Sequence, residues 1–222
     1  MKRYSAVVFD WDGTLMDSTH SIVSSIQGAC RDLALPVPTD QEARWVIGLS
    51  LDSALYRVVP DLTAEQFPRF LDRYRAHFHQ RDTQLRLFHG VPELLQGLKQ
   101  QNVLLGVATG KSRVGLDRML AAQQWQQHFD ITRCADESFG KPHPGMLLDI
   151  MQALGLDPEQ VVMVGDTTHD VQMAHNAGID SLAVSYGAHD KPTLAESLPT
   201  VMLDSVADMR GWLAQRVAGW RG

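Results

Sequence analysis

The 222-residue sequence lacks the features that define several whole classes of protein. It has two cysteines, Cys30 and Cys134, which lie far apart and form no Cys-x-x-Cys pair, so a structural zinc site or a disulfide framework is poorly supported. It has no excess of positive charge, because 20 Lys and Arg face 26 Asp and Glu, and nucleic acid is not an expected partner. No uncharged apolar run approaches the roughly 20 residues of a membrane helix. We therefore expect a soluble cytoplasmic protein with neither nucleic acid nor membrane as a partner.

Two phosphate-binding signatures are also missing. The sequence contains neither the P-loop pattern GxxxxGK[ST] nor the dinucleotide pattern GxGxxG, so nucleotide-binding interpretations lose their main support. What is present is the composition of an ordinary globular protein, with 44% hydrophobic and 21% charged residues. A chain of this length forms one large core, or a main domain with a smaller second one.

Short apolar runs rich in β-branched residues predict buried strands. Three runs are strong and two are weaker, and helical patterns opened by Pro92 and Pro144 separate them. The strong runs are 6–9, 103–108 and 161–164, and the weaker ones are 129–132 and 181–184. Strands that are apolar throughout and alternate with helices are typical of a parallel sheet covered on both faces. The sequence therefore predicts an α/β fold with a doubly wound, Rossmann-like core.

The stretch between the first two strong runs has helical periodicity and no convincing strand. Ile22, Ile26, Cys30 and Leu33 form one apolar stripe, and residues 63–66 read Thr-Ala-Glu-Gln, a capping box for the next helix. That next helix carries its apolar side chains on one face; they are Phe67, Phe70, Leu71, Tyr74 and Phe78. We expect a small all-helical domain of residues 18–88 over the strand ends, with residues 1–17 and 89–222 forming the α/β core.

Polar clusters follow the predicted strands. Asp10 and Asp12 come after the first strand, and Asp166 and Asp170 come after the run at 161–164. Ligands of parallel α/β sheets bind at the carboxyl ends of the strands, so these four carboxylates are expected to converge. Carboxylates held close together repel one another unless a cation lies between them, and an all-oxygen ligand set favours Mg²⁺.

Three further residues give this predicted site its donors. Thr109 and Gly110 follow the second strong strand, and Lys141 precedes the helix opened by Pro144. A pocket that combines carboxylates, a metal, one lysine and neutral donors suits a phosphoryl group, whose oxygens can bridge all of them.

These clusters resemble the four motifs of the haloacid dehalogenase superfamily. The motifs in this sequence are Asp10-x-Asp12-Gly-Thr-Leu, Thr109-Gly110, Lys141-Pro and Gly-Asp166-x-x-x-Asp170, in the order and spacing of the family. The resemblance covers the whole chain, because the helical insert is similar to the helical cap of the phosphoglycolate-phosphatase-like branch. It implies a Mg²⁺-dependent phosphatase that acts on a small phosphorylated metabolite.

The resemblance also implies a role for each motif residue. Asp10 would be the nucleophile that forms an aspartyl-phosphate, and Asp12 the general acid and base. The metal ligands would be Asp10, Asp166 and Asp12, the last through its backbone carbonyl, with Asp170 either a ligand or a partner of the ligands. The implied phosphate-binding residues are Thr109, Gly110 and Lys141.

The presence of Asp12 favours a phosphatase, because the haloacid dehalogenases proper lack an aspartate at that position. Phosphoglycolate, a small sugar phosphate and inorganic pyrophosphate are the candidate substrates, in falling order. A phosphomutase and a non-catalytic phosphate sensor stay open as alternatives, and so do a monomer and a homodimer. The phosphonatases of this branch place a lysine in the cap, whereas residues 19–87 contain none, and this disfavours a phosphonatase.

Specificity is expected in the cap. Residues 44–50 contain Gly48 and Ser50, which should break between two short helices and present a loop to the phosphate. Five polar cap residues could bind a substrate carboxylate or hydroxyl, although a solvated surface position is the favoured interpretation for each; they are Arg44, Ser50, Arg57, Arg75 and His77. Trp11, between the two motif aspartates, either lines the entrance or packs.

Overall fold

A computed structural model describes residues 4–82 and 84–217 of the chain. Its centre is a parallel sheet of six strands in the order β3-β2-β1-β4-β5-β6. This is the doubly wound α/β core that the sequence predicts. Residues 1–3 and 218–222 of the predicted core and residue 83 of the predicted cap lie outside the described part of the chain.

Strands and helices alternate along the core, and the first four helices form the insert that follows β1. The strands are β1 Ala6–Phe9, β2 Leu104–Thr109, β3 Ile131–Cys134, β4 Val161–Gly165, β5 Asp180–Val184 and β6 Val201–Leu203. The helices between β1 and β2 are α1 Thr19–Asp32, α2 Asp40–Trp45, α3 Leu51–Val58, α4 Phe67–Asp82 and α5 Val91–Gln100. The later helices are α6 Arg113–Gln123, α7 Gly145–Leu154, α8 Thr168–Ala177, α9 Lys191–Glu196 and α10 Val206–Ala214, with short 3₁₀ turns at Gln126–His128 and Pro158–Gln160.

Strand β1 is buried on both faces of the sheet. Val7 and Phe9 belong to one hydrophobic cluster, and Ala6 and Val8 belong to a second cluster on the other face. Successive side chains of a strand point to opposite faces, so an uninterrupted apolar strand needs helices on both sides. Because β1 lies between β2 and β4, the residue that follows Phe9 emerges in the middle of the sheet.

The predicted strands are confirmed, with small shifts of their boundaries. Strand β2 begins at Leu104 and includes Thr109, and the weak run at 129–132 corresponds to β3 two residues later. Strand β6, which has three half-buried residues at the edge of the sheet, is not predicted by the sequence. An edge strand of this length is too short to produce a recognisable hydrophobic pattern in the sequence.

The predicted helical insert is present as α1 to α4, while α5 packs against β2 of the core. Helix α1 packs along α4, and Ile22, Ile26 and Cys30 of its predicted stripe are buried. The capping box ahead of α4 forms as predicted, because the Thr63 amide donates to Gln66 Oε1 at 3.2 Å and the Gln66 amide donates to Thr63 Oγ1 at 3.2 Å.

The chain leaves and re-enters the core through two segments that run side by side. Met16 and Leu87 form an antiparallel bridge, the Asp17 amide donates to the Arg86 carbonyl at 3.0 Å, and the Phe88 amide donates to the Leu15 carbonyl at 2.9 Å. The division into a core and a cap at residues 17/18 and 88/89 stays a prediction, and this paired junction lies at those positions. Within 4–82 and 84–217, no helix combines the length and the apolar character needed to cross a membrane.

Candidate active site

The carboxyl ends of the three central strands supply the predicted site residues. Asp10 follows β1, Thr109 ends β2, and Asp166 follows β4. Asp170 lies in the first turn of α8, where it forms a capping box with Thr167. Because these strands are neighbours in a parallel sheet, residues far apart in sequence meet at one edge of it.

The structure brings three of the four predicted carboxylates into a single buried cluster. Oxygen atoms of Asp10, Asp166 and Asp170 all lie within 4.8 Å of one another. Lys141 enters this cluster, with its Nζ 2.8 Å from Asp10 Oδ1 and 2.7 Å from Asp170 Oδ1. Its side chain is fully buried, so its charge acts on the carboxylates with little screening by water. One lysine against three carboxylates leaves the cluster short of positive charge.

Neighbouring backbone and hydroxyl groups hold the carboxylates in place. Asp166 Oδ1 accepts from Thr14 Oγ1 at 2.7 Å, and Asp166 Oδ2 accepts from the Ala188 amide at 2.7 Å. Asp170 Oδ2 accepts from Thr167 Oγ1 at 2.6 Å. These hydrogen bonds orient the carboxylates of Asp166 and Asp170.

Asp10 has one oxygen engaged and one free. Its Oδ1 accepts from the Trp11 amide at 2.6 Å and faces Lys141, whereas its Oδ2 is buried and has no hydrogen-bond partner among the described residues. A buried acceptor without a donor is costly. A divalent cation ligated by oxygen atoms would satisfy Asp10 Oδ2 and neutralise the cluster, so the residues fit Mg²⁺.

The electrostatics of the cluster show the same deficit of positive charge. Burial raises the pKa of Asp10 well above its usual range, and Asp170 and Asp166 raise it further against the lowering effect of Lys141. Burial and the neighbouring Asp170 raise the pKa of Asp166 to about 7. For Lys141, burial acts to lower the pKa, but attraction to Asp10 and Asp170 outweighs it and the pKa is raised. These carboxylates are therefore hard to ionise together without a further cation.

Asp12 lies apart from the acidic cluster. Its Oδ1 accepts from Ser18 Oγ at 2.6 Å, and its Oδ2 lies 2.9 Å from Lys111 Nζ. The carboxyl group of Asp12 is thus not among the grouped acidic oxygens. Lys111 follows Thr109 by two residues, and the sequence left open whether it extends the positive edge of the pocket or is a solvated surface charge.

The turn after β2 lies directly beneath the cap. The side chain of Thr109 is buried, and its Oγ1 accepts from the Lys111 amide at 3.2 Å. A Cβ atom on Gly110 would collide with the Leu49 carbonyl oxygen and would come within 2.6 Å of the Gly48 carbonyl oxygen. The loop between α2 and α3 therefore reaches the predicted phosphate-binding turn, and Gly48 itself has a φ of +91°.

Two core histidines hold this cap loop from the other side. His169 Nε2 lies 2.9 Å from the Trp45 carbonyl oxygen, and His189 Nε2 lies 3.0 Å from the same oxygen. A carbonyl only accepts, so both rings donate through Nε2, and His189 Nδ1 accepts from the Thr168 amide at 3.1 Å. Burial lowers the pKa of both histidines, that of His169 to about 4. The sequence analysis gave His169 no role.

A cavity of about 550 Å³ extends from Asp10 and Asp12 into the cap. Of the five polar cap residues singled out in the sequence, Arg75 lines it; His77 instead faces Asp32 at 2.9 Å, and Arg57 lies over the ring of Trp45. Trp11 packs, because it is fully buried with its ring edge-on to Phe129. The cap side of the cavity is mainly apolar.

The fold and the site together define a capped α/β hydrolase with an acidic cluster at the strand ends. A family model described as haloacid dehalogenase-like hydrolase matches residues 7–184. The chain belongs to this family.

By its similarity to known proteins, the chain belongs to the phosphoglycolate-phosphatase-like branch of this family and is a phosphatase-like enzyme. It is 36% identical over 210 residues to "Probable phosphatase IndB" of Dickeya dadantii, covering 92% of this chain and 91% of the relative. It is 29% identical to a phosphoglycolate phosphatase of Mannheimia succiniciproducens, covering 93% of this chain and 97% of that one. A crystal structure described as a predicted phosphoglycolate phosphatase from Haemophilus somnus superposes with a TM-score of 0.86 at 27% identity, covering 96% and 99% of the two chains.

Proposed function

We propose that this protein is a Mg²⁺-dependent phosphatase that hydrolyses a phosphomonoester of a small metabolite through an aspartyl-phosphate on Asp10. The observation that carries the proposal is the buried cluster of Asp10, Asp166 and Asp170, bridged by Lys141 at 2.8 and 2.7 Å. Burying three carboxylates away from water lowers the stability of the folded protein, and such clusters are characteristic of catalytic centres.

In the first half-reaction, the Asp10 carboxylate attacks phosphorus and the ester P–O bond breaks. The leaving alkoxide takes a proton from Asp12, so a neutral alcohol departs and the phosphoryl group stays on Asp10. Lys141 and the donors of Thr109 and Gly110 bind the phosphoryl oxygens and stabilise their charge. The pairing of Asp12 with Ser18 and Lys111 holds its carboxyl group beside, but outside, the acidic cluster.

In the second half-reaction, water attacks phosphorus of the aspartyl-phosphate. Asp12, now a carboxylate, takes the proton of that water, and the Asp10–phosphate bond breaks to release inorganic phosphate. Asp10 returns to a carboxylate and Asp12 to its protonated form, so atoms and protons balance over the cycle.

Asp10 and Asp166 would hold Mg²⁺ with the backbone carbonyl of Asp12, and Asp170 would ligate it or support the ligands. When bound, Mg²⁺ supplies neutralisation of the carboxylates and of the phosphate charge. The free Oδ2 of Asp10 and the raised pKa of Asp166 support this assignment.

Phosphate release from a substrate panel tests the proposal. The panel contains phosphoglycolate, sugar phosphates, nucleotides and pyrophosphate, each with and without Mg²⁺, and the Asp10→Asn variant runs beside the wild type. We expect Mg²⁺-dependent release by the wild type and none by Asp10→Asn, because an amide of the same size cannot attack phosphorus. Full activity of Asp10→Asn would overturn the mechanism.

The same panel separates the alternatives. Turnover that requires a catalytic sugar bisphosphate, with phosphate returned to the sugar, would make the protein a phosphomutase. Phosphate binding with no turnover of any ester would make it a sensor.

A further inference from the structure

We propose that the alcohol released by this phosphatase carries an apolar ring, which binds in the cavity between the cap and the core. The inference rests on the proposed phosphatase function and names the substrate class of the same site. Asp10 and Asp12 line the cavity together with side chains of the cap. The alcohol part of an ester whose phosphoryl group binds at Asp10 therefore lies in this cavity.

The walls of the cavity are built from apolar side chains of the cap. Helix α1 contributes Ile22 and Ile26, the following segments contribute Val46 and Leu55, and α4 contributes Tyr74 and Phe78. The volume of about 550 Å³ falls in the range of roughly 300–1,000 Å³ that small-molecule sites occupy. Such walls favour a ligand that removes apolar surface from water.

Two aromatic residues of the cap line the cavity. The rings of Tyr74 and Phe78 lie one helical turn apart on α4 and stack, with centroids 6.1 Å apart and planes inclined by 19°. Lys111 Nζ lies 4.9 Å from the centroid of the Phe78 ring. The aliphatic side chains of Ile22 and Ile26 line the same cavity from α1. A slot lined by aromatic rings and by branched aliphatic groups suits a flat ring better than a flexible polar chain.

One polar group inside the cavity has no partner in the protein. Tyr74 lines the cavity and is 8% exposed, and its hydroxyl makes no hydrogen bond within residues 4–82 and 84–217. Burial and the charge of Asp12 raise the pKa of Tyr74, so its phenol is neutral. The hydroxyl is thus available to a polar atom of a ligand in the cavity.

Phosphoglycolate matches this cavity poorly. Its leaving group has a single methylene and a carboxylate, so it can cover little of the apolar wall and would bring a charge into it. The basic residues that line the cavity are Arg75, His79, Lys111 and Arg118. Arg75 and His79 are exposed, and Lys111 lies 2.9 Å from Asp12 Oδ2. The cap therefore favours a ring-bearing alcohol over glycolate.

Three phosphate esters of primary alcohols test the inference: ethyl phosphate, 2-phenylethyl phosphate and phosphoglycolate. The first two share the same reacting bond and differ by a phenyl ring, so their ratio of kcat/KM reports binding of the ring. We expect 2-phenylethyl phosphate to exceed both other esters by at least about tenfold, the discrimination typical of an apolar pocket. Equal values, or the highest value for phosphoglycolate, would overturn the inference.

Two variants locate the ring. Ala54→Leu adds bulk to the cavity wall, and Phe78→Ala removes one of its two aromatic rings. Each should reduce the ratio of 2-phenylethyl to ethyl phosphate at least about threefold. Tyr56→Ala is the matched control, because Tyr56 stacks on Phe67 on the outside of the cap and does not line the cavity. A ratio unchanged in Ala54→Leu would contradict the assignment.

A binding measurement separates this inference from the proposed function. Calorimetry with propylphosphonate and 3-phenylpropylphosphonate, in the presence of Mg²⁺, reports ring binding without turnover. A tenfold preference for the phenyl compound that falls in Ala54→Leu supports the ligand class, even if no ester is hydrolysed and the phosphatase proposal fails. If all three esters are hydrolysed and neither rate nor binding prefers the phenyl compound, the phosphatase proposal holds and the proposal of a ring-bearing alcohol is wrong.

Discussion

The Gly48 carbonyl of the cap lies over Gly110 of the core so closely that a Cβ atom on Gly110 would approach its oxygen to 2.6 Å. Both contact groups on the cap side are backbone atoms, of Gly48 and Leu49, so a side chain at position 110 cannot be accommodated by a change of rotamer. The closed position of the cap loop thus depends on the absence of a side chain in the turn after β2.

We expect Gly110→Ala to lower kcat/KM at least about tenfold, because the methyl group displaces the cap loop from the phosphate-binding turn. Gly211→Ala is the matched control, since nothing lies within 4 Å of the added methyl on α10 and alanine favours a helix. Steady-state kinetics on one substrate compares the two. A Gly110→Ala enzyme as active as Gly211→Ala would show that the contact has no role in turnover.

We expect Asp12→Asn to lower kcat by about 10²–10⁴ while leaving Mg²⁺ binding intact, because the carboxyl group of Asp12 serves as acid and base and lies outside the acidic cluster. Asp17→Asn, an exposed aspartate five residues later, should stay near wild-type activity. Single-turnover phosphate release measures the rate, and calorimetry measures the metal. Loss of Mg²⁺ binding in Asp12→Asn would contradict this division of roles.

The two histidines should position the cap loop through the Trp45 carbonyl. We expect His169→Phe to raise KM about fivefold with a smaller change in kcat, because it removes one hydrogen bond worth about 1 kcal/mol. His169→Gln keeps an N–H donor and should restore most of the lost affinity. The positioning role would be refuted by equal KM values for the two variants.

Mg²⁺ should stabilise the folded protein even without substrate. At a concentration about 100 times its Kd, a ligand of the folded state adds about 2.7 kcal/mol, which raises the Tm of a chain this size by about 5–10 °C. Asp166→Asn should lose most of that increase, because it removes one buried carboxylate of the cluster. Differential scanning calorimetry with and without Mg²⁺ measures both Tm values. A wild-type Tm that does not change when Mg²⁺ is added would contradict the metal site.

The two cysteines should react slowly with iodoacetamide in the native protein. Both are buried and unpaired, and burial raises the pKa of Cys30 to about 11 and that of Cys134 to about 12. A raised pKa leaves little thiolate at pH 8, so alkylation should accelerate sharply only on unfolding. Mass spectrometry along a urea series follows the labelling. Rapid labelling of either cysteine without denaturant would be inconsistent with this burial.

The parts of the site that depend on strand ends could be predicted from the sequence. Asp10, Thr109 and Asp166 each follow or end an apolar run, and the topology of a parallel sheet brings such ends together. Strand β6 could not be predicted, because three half-buried edge residues carry too short a pattern.

The contacts that depend on helix rotation or on backbone atoms were also beyond prediction. The acceptor for His169 and His189 is the Trp45 carbonyl. Every residue has a backbone carbonyl, so the sequence does not show which one accepts a hydrogen bond. The polar cap residues were chosen by chemistry alone, whereas the structure turns His77 toward Asp32 and leaves apolar side chains in the cavity. Only packing in three dimensions decides which face of a cap helix meets the ligand.

The paired junction at Met16 and Leu87 has an evolutionary consequence. Since the outgoing and returning segments are joined by hydrogen bonds next to each other, the two ends of the helical insert are held together independently of its helices. Changes in the insert away from its contacts with Gly110, His169 and His189 can therefore accumulate during evolution while β1 and β2 keep their places.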